Sequence, residues 1–197
     1  LTHLEQISKA QAVPLMQLMS AAAAGDEQCV REVVKASKLD PNLTNPFART
    51  CLHAAAAHGH AHVVEALIAL GADPKQRDMH GEGPLELAAR HSHEAACRVL
   101  HKAGARLGWD RTTMAGNLCE CAQHGHLEKL KLFLMCGADV NATDYDSRSA
   151  LHVGCASGQI RVVQALLAQK AVEVNVLDRW GTSPLMESVR NGHGEIT

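Results

Sequence analysis

A leucine that recurs at a nearly constant interval restricts the fold of this chain more than any other feature of its sequence. Successive copies lie 33 or 34 residues apart, and they are Leu18, Leu52, Leu85, Leu118, Leu151 and Leu185. Seven positions after each leucine stands a small residue, in order Gly25, Gly59, Ser92, Gly125, Gly158 and Gly192. A period of roughly 20 to 50 residues is the signature of stacked repeats, so we predict one elongated array of about six units.

The unit at residues 46–78 shows the pattern most clearly. Thr50 can cap a helix because its hydroxyl oxygen can accept a hydrogen bond from a free backbone N–H group. The apolar run that follows is broken at Gly59, where glycine permits the positive φ of a turn between antiparallel helices. A second apolar stripe ends at Gly71. We therefore predict two helices and a projecting loop in each unit.

These residues resemble the signature of the ankyrin repeat family. Thr50, Leu52 and His53 match its Thr-Pro-Leu-His motif, with Cys51 in place of Pro, and Gly71-Ala72-Asp73 matches the end of its second helix. The resemblance implies an all-α repeat solenoid of helix-turn-helix units with projecting β-hairpin loops. It also implies that His53 ties its helix to the neighbouring loop.

The register of the motif divides the chain into an N-terminal lead-in at 1–14 and an ankyrin repeat domain at 15–197. The lead-in ends at Pro14 as a short helix or a strap, and the first repeat helix is predicted to begin at Leu15. The repeats are 15–45, 46–78, 79–111, 112–144, 145–178 and 179–197. The last repeat stops before its second helix, so we expect the natural protein to continue.

Two repeats depart from the family pattern. In the repeat at 79–111, Glu86 replaces the motif His and Ser92 replaces the turn glycine. In the repeat at 112–144, Met114 and Ala115 stand where the hairpin needs a glycine. The segment 109–117 is therefore either an irregular loop or a helical detour, and it bends the array or marks a boundary between two halves.

Composition narrows the class of partner and the compartment. The net charge of −2 and the pI near 6.7 argue against a nucleic-acid partner or a charged membrane surface. No apolar run approaches the roughly 20 residues of a membrane span, so no membrane insertion is predicted. Seven cysteines, an odd number spread over the repeats, indicate reduced thiols. We predict a cytoplasmic, or more broadly intracellular, protein, with the nucleus left open.

Residues that could support metal binding or catalysis fit repeat packing better. Cys119, Cys121, His124 and His126 offer the thiolate and imidazole ligands that zinc favours. The two cysteines lie on different faces of a helix, however, and the histidines occupy the turn between helices. No nucleophile elbow or phosphate-binding glycine loop is present. We predict no metal, no cofactor and no catalysis by this segment.

The resemblance places the interaction surface on a concave groove formed by hairpin tips and the exposed ends of first helices. Aromatic and arginine side chains are frequent anchors of protein interfaces. Tip positions by register include the pair Thr112-Thr113. The predicted protein-binding residues are Phe47, His58, Met79, His80, Arg90, His91, His124, Tyr145, Asp146, Arg179 and Trp180. The alternative is that each tip packs against the neighbouring hairpin.

Two asparagines resemble sites in ankyrin substrates of asparaginyl hydroxylase. Asn175, in the context Glu173-Val174-Asn175, fits the pattern, and Asn141 fits it in part. The alternative is that Val-Asn is the usual entry into a hairpin.

The favoured function is a non-catalytic module that binds an unidentified protein partner. The alternative is a regulatory or assembly tail of a larger enzyme or ion channel, whose partner could be another domain of the same chain. The segment 144–153 is similar to the ankyrin tail of glutaminases, and 103–107 with 115–119 is similar to the repeats of animal asparaginases. Plant potassium channels carry a comparable array.

Overall fold

The computed structural model describes residues 9–196, and that part of the chain is almost entirely helical. It contains the eleven α-helices α1 Lys9–Ala24, α2 Glu27–Ser37, α3 Cys51–Ala57, α4 Ala61–Ala69, α5 Pro84–Arg90, α6 Glu94–Lys102, α7 Arg111–His124, α8 Leu127–Met135, α9 Ala150–Ala156, α10 Ile160–Leu167 and α11 Pro184–Arg190. Within residues 9–196 the only β pairing is an isolated antiparallel bridge between Thr143 and Ser149. The predicted all-α repeat fold is confirmed.

The helices form two compact units that divide between Gly108 and Trp109. In the first unit, α1, α3 and α5 pack side by side in one row, and α2, α4 and α6 form a second row. In the second unit, α7, α9 and α11 form the first row and α8 and α10 the second. Each odd-numbered helix is therefore the first helix of a repeat, and each even-numbered helix is the second.

The recurring leucine lies in the core between the rows. Leu18, Leu52 and Leu85 have no accessible surface, and Leu118 and Leu151 are also buried. Each buried leucine contributes roughly 1.5–3 kcal/mol to folding. The sixth copy, Leu185 in α11, is 53% exposed. Among the described helices, none is long and apolar enough to cross a membrane.

The first helix begins earlier than the sequence pattern predicted. Helix α1 is already formed at Lys9 and continues through Pro14 to Ala24, so the predicted start at Leu15 is wrong. Proline fixes φ at a value that a helix accepts, and its cost is one missing backbone hydrogen bond near the start of the helix. The rest of the predicted lead-in, residues 1–8, lies outside the described residues.

The segment 109–117 takes the helical alternative. Helix α7 has 14 residues, whereas α3, α5 and α9 have seven each. Its first turn is capped by Asp110, whose carboxylate accepts a hydrogen bond of 2.6 Å from the backbone N–H of Thr113. The prediction of a hairpin tip at Thr112-Thr113 is wrong, because both residues lie inside this helix. The two units also divide at this segment.

The turn between the paired helices requires a left-handed backbone. Gly59 has φ of 77°, a region that costs a residue with a Cβ atom about 1–2 kcal/mol. Ser92 occupies the same position in the third repeat and adopts φ of 61°. The third repeat thus makes the same turn as the others, with local strain where they have glycine.

Candidate protein-binding surface

Two of the hairpins are held by a buried histidine at the start of the preceding first helix. In the second repeat, the Thr50 hydroxyl accepts a hydrogen bond from the His53 backbone N–H at 3.4 Å. His53 Nδ1 accepts from the Thr50 N–H at 3.1 Å, and its Nε2 donates to the Glu82 carbonyl at 3.2 Å. Burial lowers the pKa of His53 to about 4, so the ring is neutral. The predicted tie between helix and neighbouring loop is confirmed.

The fifth repeat uses the same device. The backbone N–H of Ser149 donates to His152 Nδ1 at 3.1 Å, and His152 Nε2 donates to the Thr182 carbonyl at 3.1 Å. Burial lowers the pKa of His152 as well. In both units, therefore, a neutral histidine fixes the base of the next hairpin.

The third repeat replaces this histidine with Glu86 and changes the bonds accordingly. A carboxylate only accepts hydrogen bonds, so Glu86 receives the N–H groups of Gly83 at 3.1 Å and Gly108 at 2.6 Å. It also pairs with Arg77 at 3.0 Å. A Cβ atom on Gly83 would lie 2.8 Å from the carboxylate oxygen. Glycine at this cap position therefore leaves room for the Glu86 carboxylate.

The hairpin tips are short turns closed by a backbone hydrogen bond. The donor and acceptor residues are Asn45 and Arg49, Asp78 and Glu82, Asp144 and Arg148, and Asp178 and Thr182, at 2.8 to 3.0 Å. Neighbouring tips are also joined, because the N–H of Met79 donates to the Phe47 carbonyl and that of Arg179 to the Asp146 carbonyl, each at 3.0 Å. The backbone of each tip pair is thus fixed while its side chains project.

Large side chains at these tips are exposed. The accessible fractions are 58% for Phe47, 60% for Met79, 91% for Tyr145 and 65% for Trp180. His80 is exposed as well.

The tip of the second unit also carries charge. Arg179 pairs with Asp146 at 2.8 Å, and its guanidinium carbon lies 5.6 Å from the centre of the Trp180 ring. This arrangement holds the arginine between an anion and an aromatic face.

Four further predicted residues lie at the exposed ends of first helices. His58 and His124 each donate from Nδ1 to a carbonyl of their own helix, at 2.9 and 3.0 Å. Arg90 pairs with Glu82, and His91 is exposed beside it. In the first unit, His58, Arg90 and His91 lie at the ends of α3 and α5, which belong to the same row. The hairpin tips at Phe47 and Met79 precede these two helices in the chain.

Comparison with known sequences decides the family. A family model described as ankyrin repeats, in three copies, matches residues 18–108 and 118–197. The chain belongs to the ankyrin repeat family. Residues 109–117, which separate the two matched segments, include the first turns of the long helix α7.

Curated relatives are longer proteins that this ankyrin segment matches in part. L-asparaginase of Dirofilaria immitis is 30% identical over 169 residues, covering 86% of this chain and 28% of that protein. Potassium channel KOR1 of Oryza sativa subsp. japonica is 33% identical over 171 residues, covering 70% and 20%. The mitochondrial liver isoform of glutaminase from Mus musculus is 41% identical over 80 residues, covering 41% and 13%. The chain thus spans less than a third of these relatives, and the predicted likeness to all three groups is confirmed.

Solved structures show the same ankyrin fold. The human ASB11 ankyrin repeat domain is 25% identical, with a TM-score of 0.65 over 91% of this chain and 79% of that one. A chain in the complex of the Bdellovibrio bacteriovorus predatory endopeptidase Bd0816 with immunity protein Bd3460 is 21% identical. Its TM-score is 0.67 over 90% and 93% of the two chains, which shows the fold alone.

A second set of ankyrin contacts, which sequence reasoning missed, joins successive repeats just after the turn that follows each first helix. Four side chains there donate a hydrogen bond of 2.9 to 3.3 Å to a carbonyl at the end of the first helix in the preceding repeat. They are His60, His93, Gln159 and His193, which reach Ala23, Ala57, Gln123 and Ala156. Their recurrence one position after the turn residue is the signal that could have found them.

The proposed zinc ligands do not converge. Cys119 donates its thiol to the Arg148 carbonyl at 3.8 Å, and burial raises its pKa to about 12. Burial also raises the pKa of Cys121 to about 11. His124 and His126 stack with ring centres 5.7 Å apart. Across residues 9–196, no three His, Cys, Asp or Glu side chains are placed to hold a metal.

The two candidate asparagines differ in their surroundings. Asn141 donates to the Ala171 carbonyl at 2.7 Å and accepts from the Glu173 N–H at 2.9 Å. Asn42 makes the equivalent pair of bonds at the exit of the first repeat, to Gly71 and Asp73. Asn141 thus fixes the entry into the following hairpin. For Asn175, the positions equivalent to these partners, 29 to 32 residues later, fall beyond residue 197.

Proposed function

We propose that this ankyrin segment is a non-catalytic module that binds a protein partner through its hairpin tips and the ends of its first helices. The observation that carries the proposal is the exposure of Phe47, Met79, Tyr145 and Trp180 on tips whose backbone is fixed by hydrogen bonds. Aromatic residues, methionine and arginine are enriched in protein interfaces. A fixed backbone lowers the entropy that must be lost on association.

The polar groups of the surface suit the same role. Arg179 is oriented by Asp146 and Trp180 before any partner arrives, so little side-chain order has to be created on binding. His58 and His91, at the ends of α3 and α5, add hydrogen-bonding groups to the same row of helices. These groups give a partner apolar contact area with a polar rim, which is the usual composition of a protein interface.

Nucleophilic chemistry is disfavoured by the environments of the reactive side chains. Burial raises the pKa of Cys51 to about 12 and that of Cys155 to about 11, which removes the thiolate. His53 and His152 are buried and engaged in structural hydrogen bonds. Seven free cysteines support placing the partner in the reducing interior of the cell, in the cytoplasm or the nucleus.

Affinity capture with matched baits tests the proposal. The tip variant replaces Phe47, Met79, Tyr145 and Trp180 with alanine. The control variant replaces Val13, Met16, Leu167 and Val189, which are similarly exposed but lie outside the tips. Proteins captured by the wild type and the control, but lost with the tip variant, are the expected result. Equal capture by both variants would show that the tips do not bind the partner.

A second candidate function is a regulatory or assembly tail within a larger enzyme or channel. It is favoured by the asparaginase and potassium-channel relatives, of which the matched segment is only 28% and 20%. The partner of the tips would then be another domain of the same protein. Sequencing the complete transcript tests this candidate. An adjoining catalytic or channel domain supports it, and a transcript that encodes only ankyrin repeats rejects it.

We also propose Asn175 as the preferred site of asparagine hydroxylation. It matches the hydroxylation pattern in full, whereas Asn141 matches it in part and has both functional groups of its amide hydrogen-bonded to the next loop. Mass spectrometry after incubation with an asparaginyl hydroxylase should find one added oxygen on the Asn175 peptide. Modification of Asn141 alone would contradict this order.

A further inference from the structure

A cavity of about 300 Å³ in the first unit is lined mainly by charged side chains and glycines. The segment that leaves α4 contributes Lys75 and Arg77, and the start of α5 contributes Glu86. The segment that leaves α6 contributes Gly104 and Arg106. None of these residues belongs to the protein-binding set of tips and helix ends, so the cavity is a separate feature of the surface.

The lining carries an excess of positive charge. It has three cations, Lys75, Arg77 and Arg106, and one carboxylate, Glu86. The Glu86 carboxylate pairs with Arg77 and accepts hydrogen bonds from two backbone N–H groups. It therefore neutralises one of the three cations, and two positive charges remain. The chain as a whole has a net charge of −2, so this local excess is not a property of the general surface.

The side chains of the two remaining cations are available to bind a ligand. Lys75 and Arg106 are exposed, and neither takes part in an ion pair among residues 9–196. Arg106 uses Nη1 to contact the carbonyls of Ala105 and His101, at 2.8 and 3.4 Å. A guanidinium has five N–H donors, so most of its capacity is left.

The replacement of histidine by glutamate at position 86 builds this site. Glu86 Oε1 accepts a hydrogen bond from the Gly108 N–H at 2.6 Å and forms an ion pair with Arg77 Nη1 at 3.0 Å. A Cβ atom on Gly108 would lie only 1.8 Å from Arg77 Nη2, so the guanidinium packs directly on bare backbone. In the repeats of His53 and His152, which donate to a carbonyl at this point, the position of Arg77 is occupied by Thr44 and Thr143.

We propose that this cavity binds a phosphate monoester group. A dianion matches the two uncompensated charges of Lys75 and Arg106, whereas a single carboxylate would match only one. The guanidinium fork of arginine fits phosphate oxygens, and lysine supplies a point charge. A volume of about 300 Å³ has room for a phosphate with a small substituent.

Isothermal titration calorimetry of the 197-residue chain, at constant ionic strength, tests the proposal. The probes are inorganic phosphate and free phosphoserine, with acetate as the monoanion control. We expect saturable binding of both phosphates on the order of 1 mM and none of acetate. Lys75→Gln and Arg106→Gln should each weaken binding about tenfold, the effect of one lost charge-assisted hydrogen bond. Arg98→Gln, on α6 but outside the cavity, should leave it unchanged.

Two further arms complete the test. A short phosphoserine peptide that binds more tightly than free phosphoserine assigns the group to a phosphorylated protein, and equal affinity assigns it to a small soluble ester. Both results support the phosphate site. Absence of saturable binding, equal binding of acetate, or unchanged affinity in the double variant Lys75→Gln/Arg106→Gln would overturn it. Circular dichroism confirms that the double variant is folded, which is expected because both side chains are exposed.

Discussion

At the scale of single residues, the neutral histidines at the starts of first helices couple folding to pH. His53 has a pKa of about 4 in the native protein, against an ordinary value of 6.5 in the unfolded chain. Between these values the unfolded state binds one more proton than the native state. The free energy of unfolding therefore falls as the pH is lowered from about 6.5 to about 4, and is unaffected by this group above that window.

We expect His53→Gln to flatten this dependence. Urea unfolding of the wild type should lose up to about 3 kcal/mol across the window from His53, with a further loss from His152. The glutamine variant should be less stable near pH 7 but lose less on acidification. His80→Gln, at an exposed tip, serves as the control and should keep the wild-type slope. An unchanged slope in His53→Gln would refute the assignment.

The turn glycines test the contacts between repeats. At Gly59, φ is 77° and a Cβ atom would lie 2.5 Å from the ring of His93, whereas at Gly192 φ is 75° and no atom lies within 4 Å. Gly192→Ala should cost only the backbone strain, about 1 kcal/mol. Gly59→Ala should cost about 1 kcal/mol more, because His93 must leave the Ala57 carbonyl. Equal losses in thermal unfolding would show that the His93 contact is unimportant.

Several residue roles could be predicted from the sequence because their determinants are local. Thr50 and His53 stand three positions apart at a helix start, so the cap follows from the local sequence. The link of His53 to Glu82 spans 29 residues and was expected only from the family resemblance. His60 and His93 were missed because their partners lie 37 and 36 residues earlier in the chain. Local pattern cannot distinguish a polar turn residue from one that donates across a repeat boundary.

At the scale of secondary structure, α7 is the element that the sequence left undecided. The missing hairpin glycine excluded the family geometry at Met114 and Ala115, but two alternatives remained. Tertiary burial decides between them, since both side chains are packed in the core when the segment is helical. The cap at Asp110 is a local helix signal that favours the same result.

Substitution of Gly116 measures whether α7 is helical in solution. Gly116 lies inside α7, and a Cβ atom added there would have no neighbour within 4 Å, so Gly116→Ala should raise the free energy of unfolding by about 0.5–1 kcal/mol. Gly154 is the matched control inside α9, where a Cβ atom would lie 3.2 Å from Val163. Gly154→Ala should bring no gain. Destabilisation by Gly116→Ala in chemical denaturation would favour a loop at this segment.

At the scale of the whole molecule, the fold follows from the repeat period and the recognition surface does not. In the first five repeats, the recurring leucine places the first helix of the repeat against the core of its unit. The sequence also predicted that the large side chains of Phe47, Met79, Tyr145 and Trp180 lie at hairpin tips, where they are exposed. It could not determine the partner, because side chains such as Phe47 and Met79 are mostly exposed and core packing does not restrict their identity.

The dissociation constant of a captured partner, measured by calorimetry for three forms of the chain, tests binding through the tips most directly. The forms are the wild type, the tip variant at Phe47, Met79, Tyr145 and Trp180, and the control variant at Val13, Met16, Leu167 and Val189. Truncation of interface anchors costs roughly 1–4 kcal/mol each, so we expect the tip variant to bind at least about 100-fold more weakly. The control should match the wild type. An unchanged dissociation constant for a correctly folded tip variant would contradict the proposed function.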